Sequence, residues 1–223
     1  FDLRTLPVAR LSAVAIADGE DVGKLWGELW LVAERYLGER GVELVYYVGE
    51  APWLLQALKE HGFSQVNTVV SYEKMQDAPG PAGHPGVHLR PARSSDLDEV
   101  IEIDTASFPL LWRYPRSMLE AALRSTSRFT VAELDRRLVG YELSTQEGTT
   151  GQIVRLAVLP EYRRQGVGSR LVSEALAAFQ HGRVRRIALN TQSDNLPAQS
   201  LYERFGFQST GEKLPVLERV LRK

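Results

Sequence analysis

The chain contains no cysteine among its 223 residues. This absence excludes disulfide bonds, catalysis by a thiolate and metal sites built on cysteine ligands. It agrees with the reducing conditions of the cytoplasm, where we expect the protein to be located. The four histidines do not have the spacing of metal ligands, so we expect no metal site.

The chain also lacks an excess of charge and a long apolar run. Its 27 lysine and arginine residues nearly balance its 28 aspartate and glutamate residues, which leaves a formal net charge of −1 at pH 7. This balance does not predict broad electrostatic binding to nucleic acid or to an anionic membrane. No apolar run is long enough to span a bilayer, and no signal peptide is recognisable. The chain begins at Phe1, and we expect it to be a piece of a longer open reading frame.

The most informative segment that is present comprises residues 153–169, IVRLAVLPEYRRQGVGS. Its apolar first half predicts a buried strand, and apolar periodicity over residues 167–180 predicts a helix. A strand that leads through a glycine-containing loop into a helix forms an anion site, because free backbone amides and the positive end of the helix dipole face the loop. Gly166 and Gly168 lack a Cβ atom, so a phosphate can approach the backbone closely there.

Residues 76–86 are rich in proline and glycine and predict a linker between two units. We therefore predict one domain over residues 1–75 and a larger one over residues 87–223. Both units are predicted to contain the order strand, helix, strand, helix, strand. The dipeptide Gly-Phe at 62–63 lies 144 residues before the same dipeptide at 206–207 (206 − 62). This self-similarity favours a duplication. The alternative is that any two α/β units share such an alternation of strands and helices.

The loop at residues 163–168 differs from the common nucleotide-binding loops. Ser169-Arg170 follow its last glycine, so the lysine of a nucleoside-triphosphate P-loop is missing, and the glycines are too few for a dinucleotide fingerprint. The pattern RxxGxG instead resembles the acetyl-CoA pyrophosphate loop of the GNAT N-acetyltransferases. A second signature that resembles this family, NxxAxxxYExxGF, follows at residues 195–207. Together the motifs extend the resemblance over residues 87–222, in the order of the family.

The resemblance implies both a fold class and a cofactor. We expect an α/β (α+β) architecture with a mixed, mostly antiparallel sheet flanked by helices, and a second, partial copy of it at the N-terminus. Acetyl-CoA is the implied co-substrate, without a metal; a strand would bind its pantetheine arm and the loop its pyrophosphate. The residues that we predict to bind it are Leu156, Ala157, Val158, Arg163, Arg164, Gln165, Gly166, Val167, Gly168, Ser169, Asn195 and Ala198. The alternatives are that the two arginines are only solvated and that Asn195 is only a helix N-cap.

The resemblance also implies catalytic residues. Tyr202 matches the family's tyrosine that protonates the departing thiolate, with a core aromatic as the alternative. The C-terminal unit is similar to the ribosomal-protein alanine N-acetyltransferases, in which a glutamate lies twelve residues before this tyrosine. Here that position is Asn190 (202 − 12), and an amide cannot accept a proton. The base is therefore a water chain or another carboxylate, for which Glu142 is the candidate, while Asn190 would orient the acceptor or a water.

Residues 108–115, FPLLWRYP, form an aromatic segment between the first two helices of the larger unit. In the family this connection walls the acceptor pocket, and aromatic side chains beside an arginine suit a mixed apolar and polar acceptor. We predict that Phe108, Trp112 and Tyr114 bind the substrate. The alternative is an ordinary hydrophobic plug.

The smaller unit lacks the residues that carry this chemistry. The shift of 144 residues places Leu58 at the position of the catalytic tyrosine and Ala51 at that of the asparagine. Its loop at residues 18–21, DGED, is acidic where an anion would have to bind. We therefore predict a degenerate GNAT-like half that packs against the active unit.

The chain is accordingly predicted to be an acetyl-CoA-dependent N-acetyltransferase that transfers an acetyl group directly to a primary amine. The acceptor is a small molecule or a peptide; neither nucleic acid nor a membrane is expected as a partner. One alternative is a small-molecule acetyltransferase similar to mycothiol synthase, and the other is a non-catalytic acyl-CoA-binding or sensor protein. A monomeric pseudo-dimer and a homodimer both stay open.

Overall fold

The computed structural model describes residues 7–15, 21–75, 80–125 and 128–221. The strands in these ranges are β1 (Val8–Leu11), β2 (Leu44–Val48), β3 (Ser64–Met75), β4 (His88–Pro91), β5 (Arg128–Leu134), β6 (Arg137–Glu147), β7 (Thr150–Val158), β8 (Arg186–Gln192) and β9 (Gln208–Val220). The α-helices are α1 (Val22–Gly38), α2 (Pro52–Glu60), α3 (Leu97–Ser107), α4 (Arg116–Ser125), α5 (Val167–His181) and α6 (Leu196–Arg204). Within the described ranges, no helix is both long and apolar enough to cross a membrane.

The larger of two compact units contains residues 70–191 and 195–212. Its strands, which include residues 70–75 of β3 and residues 208–212 of β9, lie in the order β9-β3-β8-β7-β6-β5-β4. Neighbours from β4 to β7 pair antiparallel, whereas β7 and β8 pair parallel. The predicted mixed, mostly antiparallel sheet flanked by helices is therefore confirmed.

Side-chain patterning explains how helices cover both faces of this sheet. Tyr141 and Leu143 of β6 pack with Ile103 of α3 and Leu119 of α4 on one face. The buried stripe of α5 covers the other face, and its members are the apolar residues that the sequence periodicity selects. That stripe comprises Val167, Leu171, Val172, Ala175, Leu176 and Phe179.

The smaller unit contains the described residues up to 69, residues 192–194 and residues from 213 onward. Its strand order is β1-β2-β9, and its core includes Trp26, Trp30 and Leu58. The predicted order strand, helix, strand, helix, strand is present as β1-α1-β2-α2-β3. A shift of 144 residues carries α2 onto α6 (196 − 52 and 204 − 60), and the parallel β1–β2 pair matches the parallel β7–β8 pair.

These units differ from the predicted domain boundaries at residues 75 and 87. The end of β9 pairs with β2, from Val48 opposite Val216 to Leu44 opposite Val220, so the C-terminal residues belong to the smaller unit. Strand pairing between distant parts of a chain cannot be recognised from composition. The sequence analysis therefore assigned these C-terminal residues to the larger domain.

The described part of the predicted linker, residues 80–86, is packed within the larger unit. The His84 amide donates to the Gly166 carbonyl oxygen at 3.2 Å. Gly83 has a φ of +78°, and a Cβ atom there would lie 2.4 Å from the Arg170 nitrogen. Glycine in this segment therefore permits close backbone packing, and a glycine-rich composition alone does not distinguish that use from a flexible linker.

Candidate active site

The central feature of the larger unit is a gap where β7 and β8 separate. Their pairing extends from Thr150 opposite Arg186 to Ile153 opposite Leu189 and ends there. Residues 154–158 of β7 therefore continue with an open edge on the side of β8. The structure places the three predicted pantetheine-binding residues, 156–158, on this part of the strand.

The alternation of a strand decides which backbone groups face the gap. The Leu159 amide donates to the Val139 carbonyl oxygen of the neighbouring strand at 2.9 Å. Residues 156 and 158 therefore turn their amides and carbonyls to the opposite, open edge. The Val158 carbonyl oxygen accepts from the Ser107 hydroxyl at 3.2 Å and from Arg163 Nε at 3.1 Å. The Leu156 amide and carbonyl are thus placed to pair with an extended ligand.

The loop after β7 presents a row of free amide donors. Gly166 is the N-cap of α5 and has a left-handed φ of +83°, and no side chain caps the helix. The backbone amides of residues 164–169 have no hydrogen-bond partner within the described ranges. These amides lie at the positive end of a helix, which is the geometry that favours an anion, and binding of an anion there stays a prediction.

The two arginines of the loop have different surroundings. Arg163 is held in place, since its Nε donates to the Val158 carbonyl oxygen and its Nη2 to the Ser107 carbonyl oxygen at 3.4 Å. The exposed Arg164 side chain has no hydrogen-bond or ion-pair partner among the residues that the structure describes. The Arg163 side chain is therefore engaged and the Arg164 side chain is not, and contact of either arginine with a phosphate stays a prediction.

Tyr202 lies on α6, beside the first turn of α5. A Cβ atom added at Gly168 would lie 3.4 Å from the Leu201 side chain, which shows how near the two helices are. The Tyr202 side chain is buried, with Phe207 at 6.0 Å between ring centroids. Burial raises the pKa of Tyr202 to about 12, and its hydroxyl has no hydrogen-bond partner in the described part of the chain. The phenol is therefore a protonated and unengaged donor.

Asn195 caps α6 from its N-terminus. Its side-chain oxygen accepts from the Ala198 amide at 3.3 Å, and its Nδ2 donates to Thr191 Oγ1 at 3.3 Å. The structure thus gives Asn195 the N-cap role that was the alternative in the sequence analysis. Contact of Asn195 or Ala198 with a cofactor stays a prediction.

The two residues considered for proton abstraction lie in contrasting places. Asn190 is exposed on β8, one residue beyond the last pair with β7. Glu142 is only 1% exposed, opposite Leu156 in the β6–β7 register. Burial raises the pKa of Glu142 to about 8, and the nearby Ser144 and Arg128 oppose the shift only in part. At neutral pH Glu142 carries a proton, which argues against its predicted role as the base.

We expect Glu142→Gln to remove a pH dependence of stability. The folded protein holds the proton of this carboxyl more tightly than the unfolded chain, whose carboxyl has a pKa of 4.5. The wild-type free energy of unfolding should therefore fall as pH rises from 4.5 to 8, by up to about 5 kcal/mol. Urea denaturation at pH 5, 7 and 9 measures this, with the exposed Glu161→Gln as the control. An unchanged pH slope in Glu142→Gln would show that the group is ionised in the folded state.

The aromatic segment is organised around Arg155, which the sequence analysis did not identify. The Arg155 guanidinium lies 3.8 Å from the ring centroid of Phe108 and 3.7 Å from that of Tyr114. Its Nε donates to Asp104 Oδ2 at 2.7 Å, and its Nη2 donates to the Trp112 carbonyl oxygen at 2.7 Å. The three predicted substrate-binding residues are thus brought together, although the rings of Phe108 and Tyr114 each have one face packed against the Arg155 guanidinium. Their contact with an acceptor stays a prediction.

The comparisons with known proteins agree with this geometry. Residues 97–207 match the family model described as the Acetyltransferase (GNAT) family. A Bacillus subtilis protein, provisionally named a ribosomal-protein alanine N-acetyltransferase, is 33% identical over 123 residues, which are 55% of this chain and 82% of that relative. The chain belongs to the GNAT family. Membership of the GNAT family makes it an acyltransferase, as its sequence predicts.

Two further comparisons place this GNAT chain more closely. An N-alpha-acetyltransferase of Sulfurisphaera tokodaii is 29% identical over 133 residues, which are 54% of this chain and 79% of the relative. A solved tandem GNAT protein from the clavulanic acid biosynthesis pathway has a TM-score of 0.67 at 16% identity, and the match covers 98% of this chain and 77% of that one. The GNAT fold resemblance therefore extends beyond the larger unit.

Proposed function

We propose that the chain is an acetyl-CoA-dependent N-acetyltransferase that transfers the acetyl group directly to a primary amine, with the N-terminal amine of a peptide as the leading acceptor class. The open edge of β7 beside the free amides of residues 164–169 carries this proposal. The names of the two relatives, a ribosomal-protein alanine N-acetyltransferase and an N-alpha-acetyltransferase, support a peptide acceptor.

The residues of the gap fit an acyl-CoA. The amides of residues 164–169 would bind the pyrophosphate, and Arg164 would add a positive charge. The Leu156 backbone would pair with the amides of the pantetheine arm, as an added strand would. When bound, acetyl-CoA supplies an acetyl group activated as a thioester.

Three tasks then remain: the amine must be oriented, its proton must pass to a water, and the departing sulfur must be protonated. Attack of the amine nitrogen on the thioester carbon forms the new amide and breaks the carbon–sulfur bond. Tyr202 donates the proton that turns the departing thiolate into a thiol. Asn190, on the exposed part of β8, orients the amine or the water that takes up its proton, since an amide is not itself a base.

We infer that the smaller unit is a degenerate copy without a cofactor site. The Asp21 carboxylate accepts from the Lys24 amide at 3.1 Å and caps α1, so a negative charge of the chain already occupies the place of an anion. Leu58, at the position of the catalytic tyrosine, is fully buried in the core. The remainder of the acidic loop, residues 18–20, lies outside the described residues.

A titration and a turnover assay test this function. We expect calorimetry to give one acetyl-CoA per chain. Turnover can be followed with a thiol reagent without background, because the chain has no cysteine. An alanine-initiated peptide should release thiol faster than spermidine or an aminoglycoside. Two equivalent sites per chain would contradict the inference that the smaller unit has no cofactor site. Turnover of small amines alone would favour the alternative of an enzyme similar to mycothiol synthase. Binding of acetyl-CoA without turnover of any amine would favour the sensor protein.

A further inference from the structure

The points at which the aromatic segment, residues 108–115, is fixed to the rest of the larger unit include the following three. Just before its start, the Ser107 hydroxyl donates to the Val158 carbonyl oxygen at the end of β7. In its middle, the Trp112 carbonyl oxygen accepts from Arg155 Nη2. Near its end, the Tyr114 amide donates to Asp104 Oδ1 at 2.9 Å. Two of these points depend on one ion pair, formed by Arg155 and Asp104.

This ion pair is almost fully removed from water. Asp104 is 1% exposed and Arg155 is 9% exposed, and the buried Tyr141 hydroxyl also donates to Asp104. Two apolar side chains would fill this space at less cost in desolvation, so packing alone does not explain the pair. A guanidinium offers two flat faces for aromatic rings and directed donors at its edge, which is what Phe108, Tyr114 and the Trp112 carbonyl use here.

The backbone and the side chain of Arg155 serve different neighbours. Residue 155 is opposite Leu143 in the β6–β7 register, so its amide and carbonyl face β6 rather than the open edge. Its side chain extends to the aromatic segment. A change of the side chain therefore alters the segment while the Leu156 backbone groups and the loop amides keep their places.

We propose that Arg155, oriented by Asp104, is a positioning residue that fixes the aromatic segment beside the open edge of β7 and thereby sets the binding of the amine acceptor, not of acetyl-CoA. This inference rests on the proposed function. Arg155 does not touch the reacting atoms; it acts through Phe108, Trp112 and Tyr114.

The test compares matched variants that leave no unpaired buried charge. In Asp104→Asn with Arg155→Met, the KM for an alanine-initiated peptide should rise by roughly tenfold or more, since small misplacements of a binding wall have large effects. The Kd of acetyl-CoA should stay within about twofold, because its contacts are untouched. Trypsin should cleave after Arg113, inside the aromatic segment, faster than in the wild type.

The control is the same exchange at another ion pair of the unit, Asp96→Asn with Arg90→Met, combined with Glu133→Gln because Glu133 also pairs with Arg90 at 2.7 Å. The Arg90–Asp96 pair is bidentate, at 2.7 and 3.0 Å, and among the described residues it makes no hydrogen bond to the aromatic segment. It should leave the peptide KM and the cleavage after Arg113 unchanged. Arg155→Lys, which keeps the charge but loses the planar fork, should resemble the first double variant.

Three results would overturn the proposal: an unchanged peptide KM in the folded Asp104/Arg155 variant, an equal loss of acetyl-CoA affinity, or wild-type behaviour of Arg155→Lys. If the wild type acetylates no amine, the proposed function fails instead. The rate of cleavage after Arg113 still decides then whether Arg155 fixes the segment, because trypsin needs neither acceptor nor acetyl-CoA.

Discussion

Replacing Tyr202 by phenylalanine should lower the rate of acetyl transfer by about 10²–10⁴-fold, the usual contribution of general acid catalysis. Only the hydroxyl is removed, and the ring keeps its packing against Phe207. Because that hydroxyl has no partner in the described part of the chain, its loss leaves no protein group unsatisfied. The affinity for acetyl-CoA should therefore change little, and single-turnover kinetics with a peptide acceptor should show the loss in the chemical step.

Tyr72 provides the matched control for this prediction. Its ring centroid is 6.4 Å from that of Tyr202, and its hydroxyl donates to Gln199 Oε1 at 3.1 Å. Tyr72→Phe therefore removes a similar hydroxyl from the same cluster and should leave the rate near that of the wild type. If both variants and the wild type have equal rates, Tyr202 is a core aromatic residue and not the general acid.

Gly168→Asp should strongly weaken the binding of acetyl-CoA while it leaves the fold intact. The position is in the first turn of α5, where a carboxylate favours the helix but takes up its free amides and repels a pyrophosphate. We expect the Kd to rise by roughly 100-fold, which corresponds to about 2.7 kcal/mol. Calorimetry measures the affinity, and the melting temperature reports the fold.

Gly168→Ala separates charge from size at this position. The added methyl would meet Leu201 at 3.4 Å, an ordinary van der Waals distance, so this variant should bind acetyl-CoA nearly as the wild type does. If Gly168→Asp binds as tightly as Gly168→Ala, the pyrophosphate does not lie on these amides, and the assignment of the loop is wrong.

Local features of the site were predictable from the sequence because a short stretch of chain determines them. Gly166 at the helix start, the buried stripe of α5 and the strand before the loop all follow from spacing within 30 residues. Glu142 was a candidate for the opposite reason, since its residue type is visible in the sequence but its burial is not. Its burial appears only in the folded protein, where it raises the pKa of this carboxyl to about 8.

The Arg155–Asp104 pair shows what the sequence could not provide. Its members are 51 residues apart, and the contact forms only when α3 lies on β7. One signal was present, however: an arginine within the apolar run IVRLAVL cannot be buried without a partner. That signal predicts a nearby carboxylate without saying which residue carries it. Only the folded structure identifies that residue as Asp104 and shows that Phe108 and Tyr114 stack on the arginine.

The pairing of β9 with β2 has a consequence for the order in which the protein can be completed during synthesis. Ribosomes release a chain from its N-terminus, and most early segments fold as soon as their partners have emerged. The larger unit has all its described strands once residue 212 is outside the ribosome. The segment Leu44–Val48, although made early, must wait for residues 216–220 before its antiparallel neighbour exists. The larger unit can thus be complete before β2 gains its antiparallel neighbour, although β2 precedes that unit in the chain.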